Sequence, residues 1–345
     1  MIALQRKVAK RSNVGVFWVN RETFADYEFL AEADKYNRII GADYNLASED
    51  GVWSGKFYAH KSFQPDDSKG NLSSQATITY NTRNWTFIHD WVYINRDFQA
   101  DLGFVPRKDI LKSGNGLTRA FYPRKGSLSN HSVRLLSIIY WRPSQDLKKT
   151  DHIYRLTWEA NFKNQAVLEA AVSNNHIFLN FPFDPSRSGG EPLPANIGYT
   201  FNQFNASYSS NNTKLLTYRG EFTLGGFFNG KQYSISGLLG YRVQPWAQLS
   251  LGVNYDGIRL PQPHSNADLW LLTSRVNITF NKSLFWSTIF QYSNQRDNLG
   301  INSRLQWRFA PLSDLYLVYN DNYRTSFFEP RFRSVNLKVT YWLNL

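Results

Sequence analysis

The residues of this sequence that could take part in catalysis are its histidines and the carboxylates beside them. The six histidines belong to no His-x-x-x-His, Gly-x-Ser-x-Gly or calcium-loop pattern; they are His60, His89, His131, His152, His176 and His264. His89 and Asp90 are adjacent, but neighbours on a strand point to opposite faces, so they could not share a substrate. We interpret the histidines as structural, and we predict that the chain has no catalytic residue and is not an enzyme.

The sequence contains no pattern typical of a metal or cofactor site. Asp66, Asp67 and Asp184 could ligate a divalent ion from loops, but calcium prefers six to eight oxygen ligands, so we interpret them as solvated charges. The chain contains no cysteine, which excludes disulfides and cysteine-based metal sites. The glycine pairs at 189–190 and 225–226 lack the Lys-Ser/Thr that follows in a phosphate-binding loop. We therefore predict no metal and no cofactor.

Charged residues at alternating positions are the remaining candidates. They are Arg155, Glu159, Arg219, Glu221, Arg275, Arg304, Arg308 and Lys338. Each alternates with apolar neighbours, so on a strand these charges would lie on one face. Two interpretations remain open. The charges could line a pore and bias it towards anions, or they could brace an interior through Arg–Glu pairs between adjacent strands.

The elements that must position these charges are strands. From Tyr154 to Phe162 the even positions are apolar, whereas the odd positions are Arg155, Thr157, Glu159 and Asn161. The alternation recurs around 216–224, 233–241, 248–255, 270–280, 299–309 and 335–345. A strand places two such sets on opposite faces, whereas a helix would mix them. The sequence therefore predicts repeated strands of about ten residues, as in a membrane barrel.

Aromatic residues support the same interpretation. The chain has 25 Phe, 20 Tyr and 11 Trp, yet its mean hydropathy is negative, a balance expected when alternate residues face lipid and water. Rings near strand ends suit girdles at the two membrane interfaces, although aromatic residues favour strands in any setting. The predicted lipid-facing or girdle aromatics are Tyr154, Trp158, Phe162, Phe222, Tyr233, Tyr241, Trp270, Phe280, Trp307 and Tyr341.

The connections predict a barrel with two unlike rims. Short turns at 163–165, 243–246, 281–283 and 310–313 fall at one end of the predicted strands, and longer loops at 175–197, 258–267 and 325–333 fall at the other. Short connections at 228–231 and 295–298 also fall at the loop end. The predicted fold class is all-β: one domain, residues 1–345, forming a large antiparallel transmembrane β-barrel of about 19–20 meandering strands.

The N-terminal third is less regular. Strands are predicted near 2–8, 12–20, 36–47, 51–63, 70–81, 84–95 and 98–106, and residues 107–131 form either one loop or a loop with a strand near 116–123. No lipid-facing side can be assigned between Trp85 and Ile94. The first eight residues lack a secretory signal, and an odd strand count would agree with a missing N-terminal portion, so we expect a C-terminal fragment of a longer protein.

Several N-terminal strings resemble a known family. The strings RSNVGVF at 11–17, NRE at 20–22, NRIIGADYN at 37–45 and GKF at 55–57 are similar to Bacteroidetes-type proteins described as carbohydrate-binding-family-nine-like, which end in a membrane-associated domain of unknown function. The resemblance implies that this chain is that C-terminal domain. It also implies an upstream signal peptide and sugar-binding module that are absent from this sequence, so no sugar-binding residue is transferred.

The net charge and the predicted membrane location indicate the partners and the function. The net charge is +12, but the basic residues are scattered and do not form the cluster that nucleic-acid binding requires. The expected partners are outer-membrane lipid, an upstream carbohydrate-binding domain, and an anionic solute or saccharide. The predicted function is an outer-membrane channel, export conduit or membrane anchor of a Gram-negative bacterium. The alternative is a secreted all-β carbohydrate-binding or carbohydrate-active protein.

Overall fold

The computed structural model describes residues 1–24, 29, 31–65 and 71–343. Asp66 and Asp67, the two loop carboxylates considered above, lie outside the described residues. Among the described residues there is no helix long and apolar enough to cross a membrane. The only helical segments in these ranges are two single-turn 3₁₀ helices, Glu32–Asp34 and Pro143–Gln145.

The described residues form one sheet of 19 strands. The strands are β1 (Ile2–Val8), β2 (Ser12–Glu22), β3 (Tyr36–Ala47), β4 (Trp53–Phe63), β5 (Leu72–Asn81), β6 (Trp85–Ile94), β7 (Ile110–Phe121), β8 (Leu128–Arg142), β9 (Lys148–Phe162), β10 (Val167–Leu179), β11 (Ile197–Ser209), β12 (Leu216–Phe227), β13 (Gly230–Val243), β14 (Ala247–Arg259), β15 (Ala267–Thr279), β16 (Leu284–Ser293), β17 (Asn298–Ala310), β18 (Ser313–Arg324) and β19 (Glu329–Thr340).

The topology is a meander. Every strand pairs antiparallel with the next one along the chain. No pairing within the described ranges joins β1 to β19, so each of these strands has one free edge. Because the strand number is odd, β1 and β19 run in the same direction.

The two ends of the sheet differ as the sequence predicts. One end, the short-turn rim, holds only brief connections such as 9–11, 82–84, 244–246 and 311–312. The other end, the loop rim, holds the long connections 23–35, 95–109 and 180–196. The connections at 228–229 and 294–297 are short although they lie at the loop rim. This asymmetry between the ends of the strands is typical of outer-membrane barrels.

Alternation gives the sheet two unlike faces. In β9, Arg155 and Glu159 lie on one side, whereas Leu156 and Trp158 lie on the other. Register extends this division across the sheet, since Glu159 is opposite Glu169, which is opposite Ser207, and residues opposite each other in a pair share a face. We call the side of Arg155 and Glu159 the polar face and the side of Leu156 and Trp158 the apolar face.

Three sequence predictions about element boundaries are wrong. Residues 98–106 form no strand, because side chains satisfy their backbone: Asn37 donates to the Gln99 carbonyl at 3.1 Å, and the Gln99 N–H donates to Ser62 at 3.1 Å. Residues 107–131 contain all of β7, which starts well before the alternative strand predicted near 116–123, and the start of β8. The connection predicted at 325–333 ends at 328, because Pro330 is tolerated at a register irregularity beside the free edge of β19.

Buried apolar packing is sparse in the described residues. The two core clusters contain three buried residues each, Ile94 with Phe98 and Ile110, and a second group at 258–267. Both clusters lie near the loop rim. The apolar side chains of the strands are instead exposed, with Leu251 at 50%. In the part of the chain that the structure describes, apolar burial is therefore confined to small clusters near the loop rim.

Candidate functional site

The predicted charged residues share one face of the sheet. Register places all eight on the polar face: Arg155, Glu159, Arg219, Glu221, Arg275, Arg304, Arg308 and Lys338. This face is also lined by amide and hydroxyl side chains. It is therefore the part of the sheet best suited to contact water and polar solutes.

The ion pairs on this face only partly match the bracing hypothesis. Arg155 contacts Glu169 of β10 at 3.2 Å, and Glu159 instead accepts a hydrogen bond from Asn161 at 2.8 Å. Arg219 and Glu221 are 4.0 Å apart and largely exposed. Arg155 and Glu169 thus brace two adjacent strands, whereas Arg219 and Glu221 lie on the same strand.

Several ion pairs were missed by the sequence analysis, and one of them joins two strands of the polar face. Lys112 of β7 donates to Asp90 of β6 at 2.8 Å, and Gln75 and Thr77 of β5 donate to the same carboxylate at 2.8 and 2.6 Å. Lys112 lies in segment 107–131, where no strand could be assigned with certainty, so its position opposite Asp90 could not be predicted. His89, beside Asp90, lies on the opposite face, as predicted.

Three of the predicted cations have no ionic partner. Among the described residues, Arg275, Arg304 and Lys338 form no salt bridge. Arg242, which the sequence analysis did not single out, also lacks one. It lies on the same register row as Arg304, joined through Gln248, Asn277 and Ser287. These cations leave the polar face of β13–β19 with uncompensated positive charge.

A cavity of about 680 Å³ lies on the polar face of β13–β17, beside the 180–196 loop. Its lining includes the amides of Gln232 and Asn254, the carboxylate of Asp256, and the guanidinium groups of Arg187 and Arg296. Neither arginine has an ion pair among the described residues. Two unpaired cations facing one carboxylate favour an anionic, hydrogen-bonding solute.

The 180–196 loop forms one wall of this cavity. Phe183 pairs with Leu193 across the loop, and the ring of Phe183 lies 5.6 Å from that of Phe228 in the β12–β13 connection. The loop between β10 and β11 thus reaches over the polar face to residues of β13–β17.

The loop is shaped by Asp184. Its carboxylate accepts hydrogen bonds from the Ser186 N–H at 2.9 Å and the Gly189 N–H at 3.0 Å. Partial burial alone would raise the pKa of Asp184, but the Ser186 and Gly189 hydrogen bonds outweigh it and lower that pKa below its usual value. Asp184 therefore acts as a structural anion, and no group of three metal-ligating residues occurs in the described part of the chain.

The predicted aromatics lie on the apolar face or at its margins. Tyr241, Phe280, Trp307 and Tyr341 are near the short-turn rim, and Tyr233 and Trp270 are near the loop rim; the set is completed by Tyr154, Trp158, Phe162 and Phe222. Most of these rings are exposed. Between 85 and 94, where no side could be assigned, Trp85, Phe87 and Trp91 lie on the apolar face.

Comparisons with known proteins give structural similarity only. No family model and no curated protein matches the chain. The chain is similar to a structure of in-vitro folded OmpT, an outer membrane protein of Vibrio cholerae (trimer form), with 12% identity, 85% of this chain and 88% of that chain covered, and a TM-score of 0.40. For outer-membrane expressed OmpT of Vibrio cholerae the identity is 10%, the coverage 96% of each chain, and the TM-score 0.29. Both TM-scores are too low to establish a common fold.

Proposed function

We propose that this chain is an outer-membrane β-barrel whose apolar face contacts lipid and whose polar face lines a water-filled interior. The observation that supports this most strongly is the exposed apolar face of a continuous antiparallel sheet with only small core clusters. Ile235 and Leu251 are 52% and 50% exposed near the middle of their strands. In water this surface would be costly, at about 25 cal/mol per Å² of apolar area, whereas in a bilayer it is satisfied.

The proposal includes closure of the sheet. Free edges in hydrocarbon leave backbone N–H and C=O groups unsatisfied, so β1 and β19 must each acquire a strand neighbour. Their faces are compatible, since Leu4 and Leu337 lie on the apolar face and Gln5 and Lys338 on the polar face. Pairing β1 directly with β19 makes a parallel contact. One additional strand between them would restore antiparallel pairing and an even count.

Within this barrel the chain acts as a conduit for anionic polar solutes. The unpaired cations Arg242, Arg275 and Arg304 and the cavity beside Arg187 supply the selective charge. If the family resemblance is correct, the same barrel also anchors an upstream carbohydrate-binding module at the membrane, and an acidic saccharide then becomes the natural solute class.

Membrane insertion is tested by refolding the chain in detergent and comparing gel mobility with and without boiling. A closed barrel is expected to give a strand-rich circular dichroism spectrum and an unboiled band that migrates differently from the boiled one. A chain that folds and remains soluble without detergent would contradict the membrane proposal. It would favour the secreted carbohydrate-binding alternative.

Ion selectivity is tested separately in planar bilayers under a salt gradient. The reversal potential is expected to show anion preference, and Arg304→Gln is expected to reduce that preference because Arg304 has no ionic partner. Arg219→Gln is the matched control, since its charge is already close to Glu221. A cation-selective wild type would contradict the conduit proposal, and absence of conductance from a folded barrel would favour the anchor role alone.

A further inference from the structure

The apolar face contains a hydrogen-bonding band where lipid contact would be expected. One register row crosses six neighbouring strands, β6 to β11, and consists of His89, Asn115, Ser137, Tyr154, Asn174 and Asn202. The next row towards the loop rim adds Ser113, His152, His176 and Thr200. We call these ten residues the polar band.

The band is bordered by an entirely apolar row. Two residues closer to the short-turn rim, the same strands contribute Phe87, Leu117, Leu135, Leu156, Val172 and Phe204. Of these, Leu135 is 54% and Val172 51% exposed. Towards the loop rim, Trp91 and Trp141 stack on the same face with ring centroids 6.2 Å apart. Trp91 is part of the second row, and Trp141 lies in the row beyond it, opposite Lys149. The polar groups therefore have an apolar border towards the short-turn rim on all six strands, and an apolar and aromatic border towards the loop rim on β6–β8.

Hydrogen bonds within the band satisfy only part of its capacity. His89 donates from Nδ1 to the Asn115 amide oxygen at 2.6 Å, and Asn174 accepts from His152 Nε2 at 2.7 Å and donates to Asn202 at 2.8 Å. His152 is 8% exposed and its Nδ1 has no partner.

Ser137, at the centre of the band, also lacks a partner: no side-chain hydrogen bond to it occurs among the described residues. Lipid tails offer no hydrogen-bond partners, so such groups facing hydrocarbon are costly.

We propose that the polar band is a contact surface for a second copy of this chain within the membrane, an inference that rests on the proposed barrel. The two rows themselves contain no Lys, Arg, Asp or Glu, and one cation borders them: Lys149, whose Nζ lies 5.8 Å from the centre of the Tyr154 ring. A partner with neutral hydrogen-bonding groups therefore fits the two rows better than an anionic one. Their amide, imidazole and hydroxyl groups include both donors and acceptors. The same surface on another copy can therefore pair with it about a two-fold axis.

The size of the surface fits such a contact. The surface has four rows across six strands: the two rows of the band, the apolar row, and the next row towards the loop rim, which includes Tyr93, Leu111 and Trp141. With strands about 4.8 Å apart and rows about 6.8 Å apart, they cover roughly 800 Å², which is about one side of a standard protein interface.

The surface also has a depression that can receive side chains. A shallow groove of about 630 Å³ lies among Leu135, Tyr154, Leu156, Val172 and Phe204. It therefore joins the apolar row to the polar row, so that a partner could fill the groove while its amides meet the band.

The first test is the molar mass of the refolded protein in detergent, measured by size-exclusion chromatography with light scattering. Two copies of the 40.1 kDa chain are expected. Asn174→Leu is expected to raise the dissociation constant about tenfold, in line with interhelical hydrogen bonds in membranes. Ser274→Leu is the matched control, because Ser274 lies on the apolar face of β15 outside the band, and its mass should equal that of the wild type.

The second test does not remove any hydrogen bond from the fold. The chain has no cysteine, so Ser137→Cys supplies one thiol in the centre of the band, and Ser274→Cys supplies the matched thiol outside it. Mild oxidation is expected to cross-link two chains through residue 137 and not through residue 274.

The outcomes separate this inference from the proposed function. A heat-modifiable barrel with the mass of one chain and no cross-link at residue 137 would overturn the two-copy contact and leave the barrel standing. A larger mass that Asn174→Leu leaves unchanged, again without the cross-link, would also overturn it. A chain that folds without detergent would instead overturn the proposed barrel.

Discussion

Two regions of the apolar face differ sharply in chemistry. On β12–β15 the central rows contain residues such as Leu239, Leu251, Val253 and Leu272, and Ser274 is the only side chain there with a hydroxyl or amide and no ring. On β6–β11 the central rows of the same face contain the ten-residue polar band. Both regions are regular antiparallel ladders, so the difference lies in their side chains.

The difference extends to the polar face. Behind the polar band, the polar face of β6–β8 contains Ile88, Leu136 and Ile138, and its ion pair between Asp90 and Lys112 is well shielded, with side chains 14% and 26% exposed. We call the apolar face of β12–β15 the smooth region. On the polar face behind it, the side chains of Arg219 and Glu221 are 65% and 47% exposed. The polar face of β6–β8 is thus packed more closely than that of β12.

The largest expected effect follows from the smooth region. Leu251→Arg would place a charge against lipid, and we expect it to lower the free energy of unfolding by about 2–4 kcal/mol. The measurement is a denaturant titration of the refolded protein in liposomes. Asn254→Arg, on the polar face of the same strand and opposite Ser236 and Leu271, is the control and should change that free energy by less than about 0.5 kcal/mol. Equal losses from both variants would mean that the two faces are not in different environments.

A smaller effect distinguishes the ion pairs of the two regions. Lys112→Met leaves the shielded Asp90 carboxylate with only Gln75 and Thr77 as donors, and we expect it to cost about 1–3 kcal/mol of stability. Arg219→Gln removes an exposed partner at 4.0 Å and should cost less than about 0.5 kcal/mol. The same titrations measure both. If Arg219→Gln cost more, the closer packing inferred for β6–β8 would be wrong.

The smallest effect concerns the loop rim beside the smooth region. Asp297 accepts hydrogen bonds from Thr325 Oγ1 at 2.5 Å and Ser326 N–H at 2.8 Å, and these lower its pKa to about 2 from 3.8. Since the folded pKa is depressed, this stabilisation is present above pH 3.8 and is lost as the pH falls to about 2.

Thermal unfolding between pH 2 and 6 measures this contribution. Asp297→Asn should have a lower Tm than the wild type at pH 6, and the two values should converge as the pH approaches 2. A Tm difference that stays constant over this range would show that the carboxylate charge is not responsible.

The sequence predicts the strand architecture well because alternation is a local property. From Tyr154 onwards most strands separate apolar from polar residues, and register then follows from the short turns. The regions that were not predicted are those where distant side chains decide the structure. Asn37 and Ser62 hold the backbone near Gln99 in a loop, although the spacing of Phe98 and Phe104 favours a strand.

The site was predicted only in part for a related reason. Alternation identifies the face of Arg275 and Arg304, but it does not identify which charges meet across strands, so the pairing of Arg155 with Glu169 was not predicted. The polar band was missed altogether. Asn174 and His176 interrupt an apolar pattern only when β10 is aligned with its neighbours, and that register depends on the whole meander.

The most direct test of the central claim is thiol labelling of single-cysteine variants in liposomes with a water-soluble reagent. On the polar face the variants are Arg155→Cys, Arg219→Cys and Arg275→Cys. On the apolar face they are Trp158→Cys, Phe222→Cys and Trp270→Cys. The account predicts rapid labelling of the first set and protection of the second by lipid. Protection of the arginine positions with labelling of the aromatic positions would contradict the assignment of the two faces.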